Sequence, residues 1–123
     1  MEVKAMARYV RVTPFKARRV IDLIRGLHVD EARRVLAFTP RAAALPVRKV
    51  LDSAIANAEN NHQLDVDRLV VTRAEVGRST VMRRFQARGR GRAARVEKWF
   101  SHLRIVVAER SQDESAAAQQ EAA

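Results

Sequence analysis

Apolar residues along this chain follow two periods, and the switch between them marks its organisation. Val3 to Val12 reads as an extended segment in which Val10 and Val12 bracket Arg11, the alternation expected of a strand. Thr13-Pro14 stops it and starts a helix. A threonine hydroxyl can accept from free first-turn N–H groups, and proline at the first helical position has a preset φ and no N–H to leave unpaired. Ala17, Val20, Ile21, Ile24 and Leu27 recur at helical spacing, Lys16, Arg18, Arg19 and Arg25 lie off that stripe, and Gly26 supplies the stop. A short second helix is expected from an Asp30 cap, carrying Ala32, Val35, Leu36 and Phe38, with Thr39-Pro40 ending it and opening the next. The third helix should run to about Asn61 on Val47, Val50, Leu51, Ala54, Ile55 and Ala58. Pro46 implies a kink or a later start, and Asn57 to His62 reads as a frayed polar end.

From Val66 the pattern becomes that of strands. Leu69, Val70, Val71, Thr72 and Val76 are rich in β-branched residues, and Leu103, Ile105 and Val107 alternate near the other end, with a long basic stretch between. Beyond Glu109, Ser111 to Ala123 is alanine, glutamine, serine and acid with no apolar period, which reads as a disordered acidic tail. The expected organisation is one domain over residues 1–110 and a tail over 111–123, with no repeats.

Composition narrows the function classes. A chain of 123 residues can bury a core without staples, and the lack of cysteine removes disulfides and the usual zinc ligand sets. Nothing at its start resembles a signal peptide, and no apolar run approaches the roughly 18 residues of a membrane span. A soluble, cytoplasmic protein with no membrane partner is the simplest expectation. Twenty-four Lys and Arg against fourteen Asp and Glu leave a formal charge of +10, which calls for a polyanion. Only Lys4, Lys16, Lys49 and Lys98 are lysines. The rest are arginines, whose planar fork of donors suits phosphates and stacks on bases, so the bias favours RNA contact.

The charge is densest between the two strands. Arg78, Arg83, Arg84, Arg88, Arg90, Arg92, Arg95 and Lys98 face Glu97 as the only acid in that stretch. If the strands run on to a turn near Arg88 to Gly91, each arm has about ten residues and reaches roughly 33 Å at 3.3 Å per residue. Such an arm over about 78–98 would project from a domain whose radius of gyration is roughly 13 Å. Gly89 and Gly91 are expected to permit positive φ and close backbone approach to a phosphate or base. The bland reading is a solvated Gly/Arg loop, but eight bases against one acid at a glycine turn weigh toward nucleic acid.

Catalytic readings find little support. Glu59-x-x-His62 has the spacing of half a carboxylate-bridged metal site with no second copy, and neither a Gly-x-Ser-x-Gly elbow nor a phosphate loop occurs. No enzyme activity, cofactor, metal or small-molecule substrate is expected. His102 reads as a strand residue that contacts RNA or packs, and Trp99 and Phe100 as core or interface aromatics that can also stack on bases. The rival readings are a DNA architectural protein inserting an arginine hairpin into a minor groove and a membrane-active cationic segment, the latter weakened by the lack of a wide apolar face. On the RNA reading, Arg8, Arg11, Lys16, Arg18, Arg19 and Arg25 tie the globule to phosphates while the hairpin bases pin distant RNA segments.

Three segments resemble a known family. Arg83, four intervening residues, Arg88-Gly89, one residue, Gly91-Arg92, nine residues and then His102-Leu103, Ile105 and Val107 are similar to the signature of the bacterial ribosomal large-subunit protein L22 (uL22) family. Thr13-Pro14-Phe15-Lys16-Ala17-Arg18 and Ser53 to Asn61 resemble that family's first- and third-helix motifs. The resemblance implies an α+β fold of three helices on a small three-stranded antiparallel sheet with a long protruding β-hairpin. It also implies a place near the tunnel exit of the large subunit, 23S rRNA and neighbouring ribosomal proteins as partners, and a hairpin running along the nascent-peptide exit tunnel. Met82, Arg83 and Arg84 with Arg88, Gly89, Arg90, Gly91 and Arg92 would then be the tunnel-lining tip, close to the nascent peptide and to the macrolide site. Ala87 and Ala94 stand where the family often has proline and an aromatic, and Glu97, Trp99 and Phe100 where basic or polar residues are frequent.

Overall fold

A computed structural model describes residues 1–110, and the tail expected over 111–123 lies outside the described residues. Its elements follow in the order β1 (Glu2–Val10), α1 (Pro14–Ile24), α2 (Val29–Phe38), α3 (Ala44–His62), a 3-10 turn (Val66–Arg68), β2 (Leu69–Ala87) and β3 (Ala93–Glu109). The sheet is antiparallel in the order β1-β3-β2, so β3 is central. This is the expected α+β arrangement of three helices and three strands.

Helix α1 forms as its sequence dictates. The Thr13 hydroxyl accepts from the Lys16 N–H, Pro14 opens the first turn, and Ala17, Val20, Ile21 and Ile24 are fully buried at i, i+3, i+4 and i+7. The chain leaves through Gly26 at φ +82°, where a Cβ would meet nothing within 4 Å, so glycine is needed for conformation alone.

The second and third helices differ from expectation at their ends. The cap of α2 is His28, not Asp30: its Nδ1 accepts from the Asp30 N–H at 3.2 Å, and its Nε2 lies 2.6 Å from the Asp67 carbonyl. With Nδ1 accepting, Nε2 carries the proton and donates, so one ring closes the helix and ties it to the turn before β2. Thr39 ends α2, but α3 begins only at Ala44, so Pro40 does not open it. Pro46 then falls in the first turn, where its missing N–H has no intrahelical acceptor to lose and no kink is required. The polar end of α3 is helical to His62 and closed, with Gln63 at φ +53° and the Leu64 N–H donating to Ala58 at 3.0 Å.

One face of the sheet meets the helices. Val3 and Ala5 of β1, Leu69, Val71 and Ala74 of β2 and Leu103, Ile105 and Val107 of β3 pack with the helix stripes into a single core. Val71 and Ala74 both reach it because the register slips between Val71 and Arg73, which shifts the inward phase of β2 by one residue. The α1–α2 connection lies along the free edge of β2: Gly26 donates to Val71 and Val71 donates to Leu27, each at 2.9 Å. That pairing covers part of an edge strand.

Candidate nucleic-acid interface

Beyond the core the sheet narrows to a ribbon. The last pair of β1 is Val10 with Ser101, while β2 and β3 continue through seven further pairs, Val81–Trp99 to Ala87–Ala93. Seven residues span roughly 23 Å, shorter than the 33 Å expected, because β1 accompanies β3 as far as Ser101. Both flanking strands slip register at this root: β1 between Ala7 and Val10, with Tyr9 at φ +56°, and β2 between Arg78 and Val81. Bulges increase local twist, and these mark where the ribbon leaves the globule.

The tip turn is built differently from the glycine-only expectation. The two residues at positive φ are Arg90 (+61°) and Gly91 (+68°), with Arg92 N–H directed to the Gly89 carbonyl and Arg88 N–H donating to Arg92 at 2.7 Å. Two consecutive positive-φ residues form the type I′ pattern that matches strand twist. Gly91 therefore carries one left-handed position as expected, whereas the other falls on Arg90 and not on Gly89.

Directly paired residues share a face of the ribbon. Arg83, Phe85, Arg95, Glu97 and Trp99 lie on one face and Met82, Arg84, Val96 and Lys98 on the other, so cations project from both. Of the eight bases from Arg78 to Lys98, only Arg83 has a carboxylate within reach among the described residues, Glu97 at 3.9 Å. All eight are exposed.

At the root, the β1–α1 connection, the start of α1, the α2–α3 loop and the base of β3 enclose a cleft of about 620 Å³. Arg11, Lys16, Arg19, Arg41 and Lys98 line it together with Phe15, Trp99 and Glu97. Four of those cations were expected to bind RNA from sequence, and the fold brings them to one place. Arg41 was not singled out, because a lone arginine in a Pro/Ala loop carries no periodic or clustering signal. Three arginines lie over aromatic rings: Arg19 over Phe15 and Arg78 over Trp99, each at 4.6 Å, and Arg11 over Phe100 at 5.4 Å.

The remaining candidates are placed otherwise. Arg8 and Arg18 are exposed but do not line the cleft. Arg25 has its guanidinium engaged within the fold, donating to Asp22 at 2.9 Å and to the Ala74 carbonyl at 2.7 Å. His102 is half-buried, accepts from the Tyr9 N–H at 3.3 Å and packs edge-on against that ring at 5.1 Å. Packing is thus the role the geometry gives it.

Comparison with known proteins places this architecture. The family model described as ribosomal protein L22p/L17e matches residues 5–108, which include the cleft and the whole hairpin. The chain is 66% identical over 112 residues to the large ribosomal subunit protein uL22 of Granulibacter bethesdensis, covering 91% of this chain and 84% of that one. It is 62% identical over 110 residues to the protein of the same name from Gluconacetobacter diazotrophicus (89% and 82% covered). Against the one from Rhizobium meliloti it is 59% identical over 108 residues (88% and 84% covered). With most of its length matched by the family model and by relatives at such identity, the chain belongs to the ribosomal protein L22p/L17e family.

Proposed function

We propose that this protein binds 23S rRNA, bridges RNA segments during assembly of the large subunit, and lines the nascent-peptide exit tunnel with its arginine-rich hairpin. Membership of the family makes it a structural constituent of the large ribosomal subunit in the bacterial cytoplasm, not an enzyme. The observation that carries the finer reading is the two-stranded ribbon: Arg83 and Arg95 project from one face and Arg84 and Lys98 from the other. A ribbon charged on both faces can engage two RNA segments at once, where a basic patch on a globule engages one. Phosphate contacts position such an element, and arginine stacking on unpaired bases adds selectivity.

In this reading Arg8, Arg11, Lys16, Arg18 and Arg19 anchor the globule, and Met82 to Arg84 with Arg88 to Arg92 form the tunnel-lining tip beside nascent peptide and macrolide site. Arg25 serves chiefly to clamp α1 to β2. Crosslinking in cell extract, with the partner RNA sequenced and crosslinked residues mapped, tests this. Links from Arg83 to Arg95 into large-subunit rRNA are expected; links chiefly to DNA or to scattered messages would overturn it.

A further inference from the structure

We infer that the cleft at the hairpin root takes a single unpaired RNA nucleotide, its base against the Phe15 and Trp99 wall and its phosphate among Arg11, Lys16, Arg19, Arg41 and Lys98. The inference rests on the RNA-binding reading above and adds a recognition site to it. Three observations on different elements carry it.

The first is charge. Five cations and the single acid Glu97 line one cavity, and none of the five has a carboxylate within 4 Å among the described residues. Elsewhere several acids hold local arginines: Asp22 holds Arg25, Asp52 holds Arg33, Glu2 holds Arg73 and Glu75 faces Arg104. A cavity left with unmatched cations is arranged for an anion.

The second is size. About 620 Å³ lies within the range of roughly 300–1,000 Å³ typical of small-ligand pockets. It has room for an unpaired nucleotide, of the kind a bulge, loop or strand end supplies.

The third is stacking chemistry. Phe15 is 63% exposed on a folded domain and carries the Arg19 guanidinium on one face, while Trp99 carries Arg78. An arginine held over an aromatic ring is placed to stack on a base while its N–H groups reach phosphate. A charge trap for any anion would need neither ring, which separates this site from a plain phosphate patch.

The test uses the full chain. Trp99 is its only tryptophan, so emission reports on the cleft directly. The probes are a short RNA hairpin with one bulged adenosine, the same hairpin fully paired, a DNA duplex of equal charge and a poly-glutamate peptide, all at matched salt. The bulged RNA should bind about tenfold more tightly than the paired one, the scale of one base stacked on an aromatic ring, and should quench Trp99. Phe15→Leu and Arg41→Gln should each remove most of that preference with an unchanged melting temperature. Arg34→Gln, an exposed cation on α2 outside the cleft lining, should leave the preference intact. Equal binding of bulged and paired RNA, an effect of Arg34→Gln matching that of Arg41→Gln, or equal quenching by poly-glutamate would overturn the cleft site and leave RNA binding standing. Equal binding of RNA and DNA duplex without preference for the bulge would overturn both.

Discussion

The Ser101 hydroxyl donates to the main-chain carbonyl of Val12 at 2.5 Å, joining the central strand to the β1–α1 connection just where the hairpin leaves the globule. Ser101 is the one fully buried polar side chain among the described residues, and it stands between Phe100 and His102, whose rings meet Arg11 and Tyr9. Arg11 and Thr13 flank the carbonyl that receives this bond, so it holds the cation-bearing segment against the hairpin root. Removing the donor while leaving the acceptor buried costs about 1–2 kcal/mol by the usual asymmetry of hydrogen bonding. Ser101→Ala should lower urea-unfolding stability by that amount, with a larger loss for Ser101→Val, which adds a methyl group in a packed site.

Gly26 offers a cleaner measurement of backbone strain. Its positive φ with empty space around the Cβ position means that Gly26→Ala meets no clash and exposes the conformational cost alone, about 1–2 kcal/mol. Gly26→Asn should recover part of it. Equal stability of glycine and alanine in a thermal melt would show that the turn relaxes, and with it the pairing of Gly26 to Val71.

The double duty of His28 makes a graded prediction. His28→Ala removes both the cap on Asp30 and the link to Asp67, and should cost at least the roughly 1 kcal/mol typical of a lost N-cap. His28→Asn can restore the cap but not the long-range link, so it should fall between the two in chemical unfolding. If Asn matched His, the contact to Asp67 would contribute nothing to stability.

For the hairpin, stability and binding should separate. The last core residue of β2 is Ala74, and β3 contributes none before Ser101. Joining Arg83 to Glu97 through an Asn-Gly turn should therefore leave the melting temperature of the globule nearly unchanged. Unfolding of that variant, seen by circular dichroism, would mean that the ribbon is part of the folding unit.

Replacing Arg88, Arg90 and Arg92 with glutamine should weaken RNA binding with no loss of fold, because all three are exposed and outside any ion pair among the described residues. If each contacts a phosphate, the slope of log affinity against log salt should fall by about 0.7–0.9 per residue. An unaltered slope would remove the tip from the interface.

Much of this architecture was legible in the chain. The capped start of α1, the apolar stripes of α1 and α3, the strand character of residues 69–76 and 103–107 and the basic turn between them all follow from rules that act over a few residues: capping, period and turn chemistry. The quoted motifs led to the same family that the comparisons established. What escaped was whatever depends on contacts between distant segments. Asp30 was the better cap by residue type, yet His28 took the position because Asp67, thirty-nine residues on, gives its other nitrogen an acceptor. Arg19 and Arg25 look alike in the sequence, but the Ala74 carbonyl claims Arg25 just past the end of α1 and a cleft wall receives Arg19. Arg41 joins Lys16 and Lys98 only because the α2–α3 loop folds over the hairpin root. Local preference set the elements and where the charge lies; register slips in the sheet and the order in which elements pack decided which cations share a cavity, and no short-range pattern encodes those.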